Sequence, residues 1–273
     1  MYNNHAYNTL LNKIFTATSS GDREAVLKAL RDVTLKDPSA MAPVLAMGAL
    51  CFGHANTTYR FSVTELTALR DWSALARERA AKAIQSSEVL IAEAAADLFS
   101  LLERKQAGDQ VPAGESRARV LAARAKLAQA ASMDRLDFFD VLNAAALRFF
   151  PAALRDRASK EDGVRRLGAS ARLLGPTGTL ARLLLADHLA RRREGRPLAV
   201  LAQQLEQDLP GAPCVPVFKA LAARNSGQTG AAETFFQVAY RKAPSNDAIR
   251  QIYAQALRAN GKAEQAQALE RSR

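Results

Sequence analysis

The sequence predicts an all-α protein, and within that class an α-solenoid of antiparallel helix pairs that is irregular in the middle. Ala and Leu supply 56 and 35 of the 273 residues, whereas Ile and Val together supply only 18. Strands favour β-branched and aromatic side chains, while Ala and Leu are strong helix formers. Because Ala buries little surface, such a chain gains more from closely packed thin helices than from one deep core.

Turn residues divide the N-terminal part of the chain into short helices. Gly21 and Pro38 each lie in a polar turn, and proline cannot continue a helix because it lacks the backbone N–H. Thr64 can cap the helix that follows the loop 54–63. The helices expected in this part are Ala6–Thr18, Arg23–Leu35, Ala40–Phe52, Glu65–Gln85 and Ser87–Gln106.

Residues 107–114 form the clearest internal linker, with two glycines and a proline in a short stretch. Beyond it, apolar residues recur at helical spacing without a readable longer period. We expect Pro151 to restart a short helix at its first position. The longer helices expected here are Glu115–Ser132, Asp134–Phe150 and Asp162–Leu174, and the residues Gly175-Pro176-Thr177-Gly178 end the last of them.

Two segments near the C-terminus repeat at a fixed distance. Three small residues of one segment recur in the other, each 34 residues later: Ala220 as Ala254, Gly227 as Gly261 and Ala232 as Ala266. Small residues allow two helices to approach closely, and glycine adopts a left-handed turn conformation at little cost. A fixed period of this length indicates a repeat architecture rather than a single irregular core.

A helix–turn–helix unit with this period resembles the tetratricopeptide repeat family, whose units are about 34 residues long. That pattern has a small residue on each helix, a glycine in the turn, and then an aromatic, a small residue and a proline. The matching residues here are Ala220, Gly227, Ala232, Phe236, Ala239 and Pro244. The last unit departs from the pattern, since Arg250 and Glu270 replace its aromatic residues. Polar residues there suit a terminal helix without a further neighbour.

The clear resemblance covers residues 213–273. A looser unit covers 177–213, with Arg182–Arg193 and Pro197–Asp208 as its helices. Its turn contains Gly195, which lies slightly closer to Gly227 than Gly227 lies to Gly261. A weaker match covers 10–52. We therefore expect an N-terminal helical half over 1–110, a central Arg/Ala-rich part over 111–176 and C-terminal repeats over 177–273, as one continuous array.

The resemblance also implies where a partner would bind, because the first helix of each pair lines the concave face in this family. The partner-binding groove would then hold Arg182, Leu185, Leu189, Arg192, Val217, Phe218, Leu221, Arg224, Gln251, Ile252, Gln255 and Arg258. An apolar ridge edged by arginine suits a peptide with acidic flanks. The alternative is that Phe218 and Leu221 pack within the array. The Lys/Asn set that clamps a terminal carboxylate in some family members is not matched.

Motifs for catalysis or for a cofactor are absent from the sequence. No two of the three histidines, His5, His54 and His188, lie at the sequence spacing typical of metal ligands, and there is no HExxH motif. The glycines at 175 and 178 are not followed by the Lys-Ser/Thr pair of a phosphate-binding loop. Cys51 and Cys214 lie in apolar stretches, so we expect buried free thiols. We therefore expect a non-enzymatic protein without a metal or cofactor.

The net charge of +11 is concentrated in one stretch, since 148–196 contains 12 Lys/Arg and five Asp/Glu. The predicted basic patch comprises Arg165, Arg166, Arg172, Arg191, Arg192, Arg193 and Arg196. It could be a solvated surface, bind an acidic protein segment, or bind nucleic acid or lipid. Because no aromatic residues are interleaved to stack bases, an acidic protein partner is favoured over nucleic acid.

The sequence thus favours a protein-binding adaptor, scaffold or chaperone-like assembly factor. A nucleic-acid-binding regulator that uses residues 148–196, or a structural subunit of a larger bacterial assembly, are the alternatives. The N-terminal segment Met1–Phe15 lacks the order of a secretory signal, and we expect no transmembrane segment. A cytoplasmic, bacterial protein is the corresponding expectation.

Overall fold

The computed structural model describes residues 87–133, 157–174, 176–244 and 246–271, together with six helical positions between Asp71 and Lys82. All regular secondary structure in these ranges is α-helical, which confirms the predicted all-α class. The helices expected before Ser87, the weak repeat at 10–52 and the helix expected at 134–150 lie outside the described residues. So do Pro151, Cys51, His5 and His54.

The predicted helices of the described ranges are present, with shifts at some ends. The helix Ser87–Gln106 has the expected bounds, whereas the helix expected at 162–174 begins and ends several residues earlier. Pro176 begins a helix at the first position, where its missing N–H is not needed. The described helices are α1 Ser87–Gln106, α2 Ala113–Met133, α3 Arg157–Ser170, α4 Pro176–Arg191, α5 Gly195–Asp208, α6 Cys214–Asn225, α7 Thr229–Lys242, α8 Asp247–Ala259 and α9 Ala263–Arg271.

Two compact units divide the described chain between Ala181 and Arg182. In the first, α1 and α2 form a helix pair joined by the predicted linker. Leu101 and Leu127 are almost completely buried, as are the small residues Ala94 and Ala123. On the surface, Lys126 Nζ lies 3.0 Å from a Glu93 oxygen and 3.1 Å from an Asp97 oxygen.

The second unit, from Arg182 onward, is an α-solenoid arrangement of consecutive helix pairs. Each of α5, α6, α7 and α8 packs against the helix that follows it. An ion pair also joins the beginning of this unit to the end of α5, since Arg182 Nε lies 2.7 Å from Asp208 Oδ2. Because helices contact their neighbours in the chain, adjacent pairs supply each other's buried surface, as in repeat proteins.

The turn between paired helices recurs with one period through three units. Arg193, Gly227 and Gly261 have φ angles of 57°, 78° and 77°. The first helices end at Arg191, Asn225 and Ala259, and the second helices begin at Gly195, Thr229 and Ala263. The looser unit therefore has the same period as the two clear ones. The spacing measured from Gly195 was too short because Arg193, not a glycine, occupies the left-handed turn position.

The small residues predicted at helix contacts are buried there. Ala220, Ala254 and Ala266 have no exposed surface, and Ala232 is 2% exposed. Phe236 and Ala239 are also fully buried, whereas Pro244 follows the end of α7. The last pair has a small core of Ala254, Leu257 and Ala266, with Tyr253 and Leu269 packed against it. Alanine thus provides close approach where two helices touch.

Candidate functional site

The three apolar side chains predicted to line the groove on α6 are buried. Val217 is 1% exposed, Phe218 is 0% exposed and Leu221 is 8% exposed. A side chain without accessible surface cannot contact a partner while the array stays packed. The structure therefore favours the alternative in which Phe218 and Leu221 pack within the array. Phe218 is among the largest fully buried side chains of the described residues.

The residues predicted for the groove in the looser unit were assigned with the shorter spacing from Gly195. In the observed register, the positions equivalent to Val217, Leu221 and Arg224 are Leu183, Asp187 and Ala190. Arg182 is 7% exposed and is paired with Asp208 in the interior, while Leu185 and Leu189 are half-buried. Only Arg192 of that set is exposed, and it lies in the turn after α4.

The corresponding positions of the last unit are more accessible. Gln251, Gln255 and Arg258 are exposed on α8, and Ile252 is half-buried beside them. Arg258 is paired with Glu270 of α9, so its charge is balanced within the terminal helix pair. These α8 residues therefore do not continue an exposed apolar ridge on α6, because Val217, Phe218 and Leu221, which were expected to form that ridge, are buried.

An open groove lies instead along α5 and α6 and reaches Phe235 in the middle of α7, with a volume of about 850 Å³. The residues from α5 are spaced at helical intervals, which puts them on one face of that helix. Small and polar side chains form most of the surface. The groove is lined by Gly195, Arg196, Ala199, Gln203, Glu206, Lys219, Ala222, Ala223, Asn225, Ser226, Gln228 and Phe235.

The first residue of α5 brings this helix close to the end of α6. A Cβ atom added to Gly195 would lie 2.3 Å from Ser226 Oγ and 2.9 Å from the carbonyl oxygen of Ala222. Asn225 Nδ2 also donates a hydrogen bond to the carbonyl oxygen of Ala190, at 3.4 Å. The absence of a side chain at Gly195 thus allows the α4–α5 turn to lie beside the end of α6.

The end of the groove away from Gly195 is held by a lysine that contacts both neighbouring helices. Lys219 Nζ on α6 lies 2.6 Å from Glu206 Oε1 on α5 and 5.8 Å from the centre of the Phe235 ring on α7. The ammonium group therefore has an anionic partner on one side and an aromatic ring on the other. Ala199, Ala222 and Ala223 leave room beside this contact.

Three arginines that we call the arginine end lie in the α4–α5 turn, the first turn of α5 and the last turn of α6: Arg193, Arg196 and Arg224. Of these, Arg196 lines the groove. All three are exposed, and no carboxylate of the described residues forms an ion pair with any of them. Arg191 and Arg192 differ, because they pair with Asp187 at 3.1 Å and with Glu194 at 2.7 Å. The end of α6 and the α4–α5 turn thus place three uncompensated positive charges together.

Two groups near this turn have lowered pKa values, first because of burial and second because of a neighbouring arginine. Partial burial and the charge of Arg193 lower the pKa of Arg224 from its ordinary value. Burial and, after it, the charge of Arg192 lower the pKa of His188 on α4. Like charges disfavour the protonated form of a cationic group. Arg224 nevertheless remains positively charged at neutral pH, because guanidinium groups are protonated far above that range.

The predicted basic patch is divided between the two compact units. Arg165, Arg166 and Arg172 are exposed on α3 and the turn after it, in the unit that ends at Ala181. Arg191, Arg192, Arg193 and Arg196 are exposed at the α4–α5 turn of the other unit. Within the second unit the structure adds Arg224 to this group. The sequence had placed Arg224 in a different predicted site because it lies on the next repeat, well beyond Arg196 in the chain.

The remaining groups of the described residues that could be reactive are the thiol of Cys214 and the side chains that can ligate a metal. Cys214 is a buried free thiol, as predicted, and burial raises its pKa to about 12. A thiol with so high a pKa is almost entirely protonated at neutral pH and is a poor nucleophile. No group of three or more metal-ligating side chains occurs in the described part of the chain. None of the helices described is both long enough and apolar enough to cross a membrane.

Comparison with known proteins leaves the family open. No family model matches the chain, and no curated protein matches it. The solved structure of the human IFIT1 dimer with PPP-AAAA is similar over 98% of this chain and 71% of that chain, with a TM-score of 0.46 and 12% sequence identity.

Proposed function

We propose that this chain is a non-enzymatic protein-binding module of the tetratricopeptide type, acting as an adaptor, scaffold or chaperone-like assembly factor. The observation that carries the proposal is the open groove along α5 and α6, which reaches the middle of α7. Its length suits a segment of a partner protein rather than a small metabolite, because it extends from the first turn of α5 to Glu206 in the last turn of that helix. Repeat arrays commonly present such extended surfaces to other proteins.

The composition of the groove supports the same proposal. Ala199 provides an exposed apolar side chain, while Gln203, Asn225 and Gln228 provide amide donors and acceptors. Peptide recognition uses this combination, with apolar contacts for affinity and hydrogen bonds for register. The surrounding helices are tied by ion pairs, so the groove exists before a partner arrives. A preformed groove avoids the entropic cost of ordering the binding surface.

Site-specific photo-crosslinking of the full-length protein in its native host tests this proposal. A photoreactive residue replaces Ala199, which is exposed in the groove, or Gln255, which is exposed on the predicted first-helix face. Ala268, exposed on α9, is the matched control position. We expect a defined crosslinked protein from position 199, and neither of the other positions should yield that product.

The pattern of crosslinks also separates the competing functions. Products from position 255 alone would move the binding surface to the first-helix face of the last unit and would reject the groove. A product at position 199 that nuclease removes, and that contains no second protein, would favour the nucleic-acid-binding alternative. The same products at 199 and 268 would indicate non-specific association of a basic protein.

A further inference from the structure

The groove along α5 and α6 has a counterpart one repeat later, where α7 packs against α8 and the turn that follows it. Residues of the two junctions correspond at the repeat period of 34 residues. In the groove, Gly195 lies against Ser226. One repeat later, the equivalent residues Thr229 and Asn260 are joined by a hydrogen bond of 3.3 Å. The two junctions can therefore be compared position by position.

At the second junction, a carboxylate closes the space between α7 and the α8–α9 turn. Glu233 accepts hydrogen bonds from Asn260 Nδ2 at 2.8 Å and from Lys262 Nζ at 2.6 Å. Because the residue equivalent to Glu233 ends at its Cβ atom, the groove is open where the second junction is filled by an acidic side chain. The equivalents of these three residues all line the groove and are, in the same order, Ala199, Ser226 and Gln228.

The hydrogen-bond donors around this opening are not used by the protein. Ser226 and Gln228 are exposed, and neither side chain has a hydrogen-bond partner among the described residues. Gln228 is the N-cap residue of α7 but forms no capping hydrogen bond, and the first turn of α7 has no acidic residue. A hydroxyl, an amide and the beginning of a helix all interact favourably with an anion. The groove thus has donors at the positions that bind Glu233 one repeat later, but an alanine in place of the carboxylate.

The charges of the lining residues favour a single carboxylate as the ligand. Two cations and one anion line the groove, and two of these three, Lys219 and Glu206, pair with each other at 2.6 Å. Arg196 is exposed, has no ion pair in the described structure and lies one turn before Ala199 on α5. Its guanidinium group is therefore the lining charge that a ligand can balance. A segment with many acidic residues would instead meet the like charge of Glu206.

We propose that the groove binds one carboxylate of a partner protein between Arg196, Ser226 and Gln228, in the place that Glu233 fills one repeat later. The inference rests on the proposed function and specifies the chemistry of the ligand. A guanidinium group binds a carboxylate through two parallel hydrogen bonds. The carboxylate belongs to an Asp or Glu side chain or to the C-terminus of the partner segment, and the neighbouring residues of that segment lie along the groove.

A nucleic acid fits these features less well than a protein segment. Binding of single strands uses a groove of positive charge and accessible aromatic rings on which bases stack. Here the Glu206 side chain is 52% exposed and would repel phosphate groups. The aromatic lining residue, Phe235, is half-buried, with Lys219 Nζ 5.8 Å from the centre of its ring. The groove therefore favours a protein segment.

Fluorescence anisotropy of the full-length protein at low salt tests the inference. The probes are a short alanine-rich peptide with one central Glu and an amidated C-terminus, its Gln counterpart, the Gln peptide with a free C-terminal carboxylate, and an oligothymidylate. We expect the Glu peptide, the free-acid peptide or both to bind about tenfold more tightly than the amidated Gln peptide, since a hydrogen bond to a charged group is worth at least this factor. The probe that shows the preference identifies the source of the carboxylate.

Two pairs of variants assign this preference to the proposed place. Arg196→Gln should abolish it, whereas Arg241→Gln, which removes an exposed arginine outside the groove, should leave it unchanged. Ala199→Glu should also abolish it, because the new carboxylate fills the place as Glu233 does one repeat later. Ala199→Gln adds nearly the same volume without a charge and should retain the preference. Circular dichroism verifies that all four variants retain helicity.

The inference is overturned by equal binding of the charged and neutral peptides, by no binding of either carboxylate probe, by tighter binding of the oligonucleotide, or by equal effects within either pair of variants. Photo-crosslinking from Gln203, which lines the groove one turn beyond Ala199, keeps these results distinct from failure of the proposed function. Absence of any crosslink in the unchanged protein rejects the proposed function itself. A crosslink to the native partner that Arg196→Gln retains shows that the groove binds protein and that the carboxylate assignment is wrong. Its loss in Arg196→Gln, with retention in Arg241→Gln, supports the inference.

Discussion

At the scale of single residues, the turn of the repeat over 177–213 differs from expectation: Arg193, and not Gly195, is the left-handed residue. Gly195 does not occupy the left-handed turn, because it is the first residue of α5 and is buried against the end of α6. Arg193 adopts that left-handed conformation with φ of 57°. Non-glycine residues do so at a steric cost. Arg193 in this position aligns the repeat with the later ones, and Arg196, next to Gly195, lines the groove.

We predict that Gly195→Ala destabilises the protein by about 1–3 kcal/mol, the usual cost of inserting atoms into a packed site. The new Cβ would overlap Ser226 Oγ and crowd the Ala222 carbonyl oxygen, and the backbone oxygen cannot move without shifting α6. Chemical denaturation monitored by circular dichroism measures the change in the free energy of unfolding.

Gly230→Ala is the matched substitution for this prediction. Gly230 lies in the first turn of α7, and no heavy atom lies within 4 Å of an added Cβ. Alanine should therefore leave stability unchanged or raise it by up to about 1 kcal/mol, since alanine has the better helix propensity. Equal effects of the two substitutions would contradict the close approach of α5 to α6.

At the scale of helices, polar contacts join one helix pair of the repeat to the next pair. Glu233 on α7 accepts hydrogen bonds from Lys262 Nζ at 2.6 Å and from Asn260 Nδ2 at 2.8 Å, both in the turn between α8 and α9. Asn260 Nδ2 also donates to the carbonyl oxygen of Thr229, at 3.3 Å. These contacts fix the α8–α9 turn against the beginning of α7 and so set the position of the last pair.

The Glu233 contact predicts a dependence of stability on pH. Hydrogen bonds from Lys262 and Asn260 lower the pKa of the Glu233 carboxyl in the folded protein. A lowered folded pKa stabilises the protein above the unfolded pKa of about 4.3, and this contribution disappears as pH falls through the folded value. We expect Glu233→Gln to cost about 0.2–1 kcal/mol at pH 7, the range of exposed ion pairs, and this cost should shrink as pH falls through the folded pKa.

Urea denaturation at a series of pH values measures this effect. Glu264→Gln is the control, because Glu264 is exposed on α9 and has no ion pair in the described structure. Its substitution should change the stability little at either end of the range. A cost of Glu233→Gln that persists unchanged at pH 3 would show that packing, not the ionised carboxylate, holds the α8–α9 turn.

The elements were more predictable than the site. The repeat could be recognised from the residue types of Ala220, Gly227 and Phe236. In the structure Ala220 and Phe236 are buried between helices, and Gly227 adopts the left-handed turn conformation. The register predicted for the repeat over 177–213 is wrong, because its left-handed turn residue is Arg193 and arginine is not a residue type from which a turn is predicted. Predicting the groove would have required knowing that Val217 and Leu221 are buried. Burial depends on how helices distant in sequence pack, and a single repeat pattern does not specify it.

At the scale of the whole molecule, the positive charge is organised by the fold as well as by composition. Several arginines of residues 182–271 are paired with carboxylates, among them Arg182, Arg191, Arg192 and Arg258. The arginine end is different because the turn before α5 and the last turn of α6 meet without an acidic residue that pairs with it. A net charge of +11 therefore describes the chain less well than the distribution of its paired and uncompensated charges.

The central claim is that a partner segment binds the groove along α5 and α6. Hydrogen exchange of the full-length protein, alone and in complex with the protein crosslinked at position 199, tests it most directly. The amides of the first turn of α5 and of the turn 226–228 lie along the groove, and we predict slower exchange there in the complex. Exchange in α8 should be unchanged. Slower exchange in α8 with no change in α5 or in the turn 226–228 would contradict the account.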